Sequence, residues 1–236
     1  MVMLLSSAAL FLAIHLLVAG TRLRDAITGT IGEGPYLGLF SLASIGGIVW
    51  LALSYNAASI GSDNRVLFNL GRGVHDLAIP VVLIAFLIGV PGLMMPNPTS
   101  VRQEDVALKE NAVRGVLRIT RHPFLWGVAL WSAVHLAANG DLASVVLFGT
   151  FLVLSILGTF SIDAKRKRKL GAQWEGFAAR TSNVPFGAIV SGRETFVARE
   201  YFDWRFAAAL AIFAIVLFGH ARVIGASPFP NGWIPF

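Results

Sequence analysis

Six apolar stretches, at residues 2–20, 35–55, 74–94, 124–138, 143–162 and 206–224, divide the chain and constrain its fold more than any other feature. About 18 apolar residues carry a helix across the hydrocarbon of a bilayer, and most of these stretches reach that length. Inside hydrocarbon every backbone N–H and C=O must be bonded within the chain, so the stretches are helices. Only 14% of residues are charged, against about a quarter in a soluble domain. The fold class is all-α: a polytopic helical membrane protein with about six transmembrane helices, the fourth short. The first stretch has the length of a signal peptide, but no Lys or Arg precedes it and Arg22 and Arg24 follow it. That charge order retains it as a span.

The net charge is +6, and the basic residues lie between spans rather than on a soluble face. Of the 19 Lys and Arg, 16 fall in the first, third and fifth loops, which predicts that those loops are cytoplasmic and both termini periplasmic. Anionic lipid headgroups, not nucleic acid, are the partner this charge suits. Two cytoplasmic interfacial helices are expected. Residues 106–119 place Val106, Val113, Val116 and Leu117 among Arg114 and Arg118, at helical spacing, and Pro123 ends or turns that helix. The run Lys165 to Lys169 reads as an anchor, and Leu170, Trp174 and Phe177 beyond it describe a helix lying along the membrane. Trp174 and Trp204 suit the interfacial aromatic belt. The glycines around 29–38 and 71–73 read as turns.

Function is to be sought in residues 110–141, where polar groups enter an apolar segment. The absence of cysteine excludes thiolate ligands, so any metal or haem must use His, carboxylate or Met. Counting helical rise from the basic loops, His15 lies about 10 Å deep and His135 about 16 Å deep, while His220 lies about 22 Å deep. His75 sits at the outer edge and His122 at the inner one. Two imidazoles at similar depth on facing helices suit a haem iron, or each makes an interhelical hydrogen bond. Ala129, Ala133 and Ala137 offer a small-residue side for packing, leaving the face of Phe124, Val128, Trp131 and His135 for something bulkier. Arg22, seven residues after His15, shares its helical face and would pair with a propionate or snorkel to headgroups. Arg121-His122-Pro123 joins an anion grip to a proton carrier at the membrane edge, or forms a charged cap there. Glu33, Asp76, Asp141 and Asp163 lie on separate loops or helix ends and form no acid–base pair.

Several blocks in order, Arg121-His122-Pro123, Trp126-Gly127, Trp131 to His135, Asn139-Gly140-Asp141, Asp163 to Lys169 with Trp174, and Pro185-Phe186, resemble the NnrU family. His15 with Arg24, Gly32-Glu33, Tyr36, Phe40 and Ser41-Leu42 extends the resemblance over nearly all of residues 1–236, as one domain. It implies a bacterial inner-membrane protein linked to nitrite and nitric oxide reduction. The family takes in a plant zeta-carotene isomerase that uses haem b to isomerise a cis double bond. Carried over, haem b sits between the first and fourth spans, with His15 and His135 as iron ligands, Arg22 as a propionate partner, and a polyene or small gas as ligand. Where that relative's motif has Cys, this chain has Ser132. The same Arg-His-Pro motif, followed by a carboxylate, a basic run and Gly171 to Trp174, is also similar to membrane methyltransferases of the isoprenylcysteine type. That alternative implies S-adenosylmethionine near Arg121 and His122. A non-enzymatic assembly factor would bind neither cofactor.

Overall fold

The computed structural model describes residues 1–109 and 111–229; Glu110, at the head of the stretch singled out above, and residues 230–236 lie outside the described residues. Helix α1, Val2–Leu12, runs into a π-helical segment, Ala13–Val18, and stops at Ala19. Thr21 caps α2, Arg22–Ile31, by accepting from the Leu23 N–H at 3.2 Å. The first stretch and α2 meet at 78°, so the first loop carries an amphipathic helix of its own. Gly32, at φ +86°, is the break before α3, Glu33–Ser59; Gly29, Gly34 and Gly38 lie inside helices, contrary to their reading as turns. Gly71, at φ +80°, does turn the chain into α4, Arg72–Met94. There follow α5, Val116–Ile119; α6, Pro123–Ala138; α7, Leu142–Leu170; and α8, Ala172–Arg180. Then come α9, Gly187–Val190; α10, Ala198–Tyr201; and α11, Trp204–Ile224.

Among the described residues α3, α4, α7 and α11 are long and apolar enough to cross a membrane, and the bent pair of α1 and α2 passes together. The fourth apolar stretch forms α6, whose 16 residues rise about 24 Å. It is short because Pro123 opens it and Gly140 closes it. α6 lies between α4 and α7. α4 and α6 approach closely at glycines: a Cβ on Gly127 would stand 2.7 Å from the Ala85 carbonyl oxygen and 2.8 Å from Gly89 Cα, and Ala129 of the alanine side is buried as well. Leu4 and Ala8 of α1 pack on Leu51 and Ala58 of α3 and on Ala143 of α7. At the far end the Gly140 carbonyl accepts from Leu67 N–H at 2.8 Å, clasping the α6–α7 turn.

The basic end departs from the sequence reading in three places. Residues 106–119 do not form one helix: after a 3-10 turn, Glu104–Leu108, the described residues 111–115 are bends, turns and irregular chain, and Gly115 at φ +54° precedes the single turn α5. The apolar residues Val106, Ala112 and Val113 instead pack beneath Trp174 and Phe177 of α8. Burial against protein accounts for the apolar spacing that suggested an interfacial helix. Trp174 is accordingly 3% exposed and is a core residue, whereas Trp204 is 61% exposed. In the run Lys165 to Lys169, Arg166 is 5% exposed and bonds to Glu104 and, at 2.6 Å, to the Ser100 carbonyl.

Candidate functional site

His15 stands in the π-helical segment, a widened turn that helices carry most often at functional positions. Its Nδ1 lies 2.8 Å from the Phe11 carbonyl oxygen, which only accepts, so Nδ1 carries the proton. In the neutral ring the lone pair is then on Nε2. The nearest hydroxyl, Ser44 Oγ at 3.5 Å, gives its proton to the Phe40 carbonyl at 2.7 Å and does not engage that lone pair. The imidazole is steadied by Phe11, 4.3 Å away, and by Phe40 at 5.1 Å. Below it the helix ends against α7. Ser161 donates to the Gly20 carbonyl at 3.2 Å and Lys165 to the Ala19 carbonyl at 3.3 Å, satisfying acceptors that a helix end leaves over.

His15 opens onto a cavity of about 810 Å³. Its walls are apolar, with Phe11, Leu16 and Phe40 on one side and Phe124, Val128 and Leu154 on the other. Its rim at the basic end holds Arg22, Arg24, Lys165, Arg168 and Lys169, opposed by Asp25, Glu33 and Glu104. Arg24 bonds to Glu33 at 2.9 Å and lies 5.5 Å over the Tyr36 ring, which ties α2 to α3 across the Gly32 break. The enclosure suits a flat or elongated apolar body with an anionic edge.

The structure brings Arg22 to the His15 cavity, although by a different route from the one expected. The helix breaks between them, and the 78° bend returns Arg22 to the rim. His135 is not brought there. Its Nδ1 lies 2.8 Å from the Trp131 carbonyl, the same arrangement as at His15, but it lines a second cavity of about 350 Å³ with His75 and His220. A file of rings runs between the two histidines: Phe11 to Phe151 at 5.9 Å and Phe151 to Trp131 at 5.8 Å.

Arg121 and His122 lie elsewhere again, in a closed network. Asp163 accepts from Arg121 Nε at 3.0 Å, and His122 Nε2 lies 2.6 Å from the same carboxylate. His122 is 2% exposed, and burial pushes its imidazole below the ordinary histidine value against the opposing pull of Asp163. The Arg121 N–H bonds to the Ser182 carbonyl at 3.0 Å, and Asn97 holds the Arg121 carbonyl. These contacts fasten the start of α6 to α7, and neither residue lines the large cavity. Sequence reasoning missed the part of Asp163, because its partners lie about forty residues upstream, as well as the roles of Lys165 and Arg24 on the rim. The pairing of Arg24 with Glu33 was signalled only by their joint place in the family resemblance.

Compared with known proteins, the chain matches the family described as "NnrU protein" over residues 3–228. The 15-cis-zeta-carotene isomerase, chloroplastic, of Arabidopsis thaliana is 27% identical over 212 residues, covering 87% of this chain and 56% of the relative. Its namesake in Zea mays is 25% identical over 198 residues, covering 82% and 52%. The chain thus spans about half the length of these relatives. No solved structure matches it.

Proposed function

The chain belongs to the NnrU family, and on that premise we propose that it is a haem b protein of the bacterial inner membrane that isomerises a cis double bond in an apolar polyene. The observation that carries this reading is His15 itself, an imidazole with its lone pair on Nε2, at an apolar cavity with a basic rim. The residues fit the group: the walls would suit a macrocycle, Arg22, Arg24 and Lys165 would meet its propionates, and His15 would hold the iron. Phe11, Phe151 and Trp131 stand between His15 and His135, which favours a single histidine ligand over the pair. Haem held there would supply an iron centre able to polarise a double bond or to take a small gas such as nitric oxide.

The protein's own groups do the rest. Phe11 and Phe40 hold the imidazole edge, its bond to the Phe11 carbonyl keeps the proton on Nδ1, and the apolar walls exclude water. The basic end faces the cytoplasm in this reading. The closed Arg121–Asp163–His122 network speaks against the methyltransferase alternative, since both grip residues already have a partner. Incubating reduced protein in detergent with a cis polyene, and reading the isomer ratio chromatographically, tests the proposal. Conversion by the parent and none by His15→Ala is the expected result; equal conversion by both rules out the site.

A further inference from the structure

The second cavity is not accounted for by this function. It lies between α4, α6 and α11 at the end opposite the basic loops, and its polar groups gather in one place: Arg72, His75 and Asp76 on α4, His135 and Asn139 on α6, His220 on α11, and Ser227 just after α11. The remainder is apolar, with Ile79, Val82, Phe86, Phe213 and Leu217 among its walls. At about 350 Å³ it is the size of a site for a compact ring.

The hydrogen bonding at its histidines specifies what such a ring must offer. His135 Nδ1 lies 2.8 Å from the Trp131 carbonyl, and His220 Nδ1 lies 2.7 Å from the Ala226 carbonyl. A carbonyl accepts only, so both rings carry their proton on Nδ1, and in the neutral form each has an acceptor at Nε2. A matching ligand therefore brings at least two O–H or N–H donors on a body that tolerates an apolar, aromatic wall. Trp131, Phe86 and Phe213 supply that wall, the last two 5.7 Å apart edge to face. A metal ion does not fit, as no three His, Asp or Glu side chains among the described residues could hold one. An alcohol lipid offers only one donor to the two Nε2 acceptors, and an ionised carboxylate lipid offers none.

We propose that this cavity binds the headgroup of a lipid-soluble quinol, its two hydroxyls donating to His135 and His220 and its prenyl-type tail leaving along the apolar walls of α4 and α11. The two histidines discriminate by donor count: the oxidised quinone has carbonyls in place of both hydroxyls and presents acceptors to the two Nε2 acceptors.

Calorimetric titration of the detergent-purified protein under argon tests this, with a decyl-substituted benzoquinol, the corresponding quinone and the quinol's dimethyl ether as probes. The quinol is expected to bind once per chain, and the quinone and the ether at least about tenfold more weakly, the worth of one lost hydrogen bond to a buried partner. His220→Phe should weaken the quinol about tenfold and leave the quinone unchanged. The comparison of the quinol with its ether uses only the parent protein, so it stands even where the variant fails to fold. Equal binding of quinol, quinone and ether, quinol binding that His220→Phe leaves intact, or no quinol binding at millimolar concentration would overturn the proposal. Haem content measured on the same samples reports separately on the His15 site.

Discussion

At the scale of single residues, the site depends on how the first helix ends. Gly20 is packed so closely that a Cβ there would lie 2.7 Å from Ser161 Oγ and nearer still to the Leu16 carbonyl. Gly20→Ala is therefore expected to cost about 1–3 kcal/mol of stability by overpacking, readable from melting curves of the purified protein, and under the proposed haem assignment to lower the haem content read by pyridine haemochrome. His15 stood out in the sequence because an ionisable group in hydrocarbon is expensive and uncommon. The separation of His135 from it was not. Depth follows from counting rise along a helix, but the direction in which a residue faces depends on helix rotation, and here the rings of Phe11, Phe151 and Trp131 fill the space between the two. The lowering of the His122 value was also out of reach, since it depends on burial by segments far away in sequence.

At the scale of elements, the six apolar stretches foretold the long helices, because backbone satisfaction in lipid leaves little else for them to form. Loops were read less well. The spacing of Val106 and Val113 was real, but it serves a strap pinned under Trp174 and Phe177 rather than a helix on the membrane surface. Only contact with α8 distinguishes the two, as both need apolar residues on one side. The alanine side of α6 pointed to close packing, and Gly127 adds a close contact with α4 that the spacing of alanines did not signal. Gly127→Ala should thus destabilise the protein by about 1–3 kcal/mol in a thermal or denaturant melt, and Ala133→Val, at a half-buried position, by less. A larger effect at Ala133 than at Gly127 would show that the packing of α6 has been misassigned.

At the scale of the whole molecule, the basic end is knitted from ion pairs between segments distant in sequence. Arg118 joins Glu194 and Glu200, Arg121 and His122 join Asp163, and Arg166 and Lys169 join Glu104. Burial opposes the charge on Glu104, but a backbone N–H and the Lys169 and Arg166 hydrogen bonds outweigh it and hold the carboxyl at about 2, down from 4.5. The Arg118 bond likewise lowers Glu200. A carboxyl with a depressed folded value contributes stability above its unfolded value and loses it as pH falls. The basic end should accordingly hold above about pH 4.5 and loosen towards pH 2, seen as growing exposure of Trp174 in its fluorescence. Glu104→Ala, which strands the buried Arg166, should cost about 3 kcal/mol at neutral pH. The count of basic residues marked this end from sequence, yet it suggested solvated anchors, because partners such as Glu104 and Asp163 are recognisable only once the chain has folded.

The haem assignment is tested most directly by a pyridine haemochrome measurement on the purified parent, His15→Ala and His135→Ala, each verified as monodisperse. About one haem b per chain in the parent and in His135→Ala, with a loss of at least about tenfold in His15→Ala, is the predicted result. Haem retained in His15→Ala, or absent from a well-folded parent after reconstitution, would contradict it.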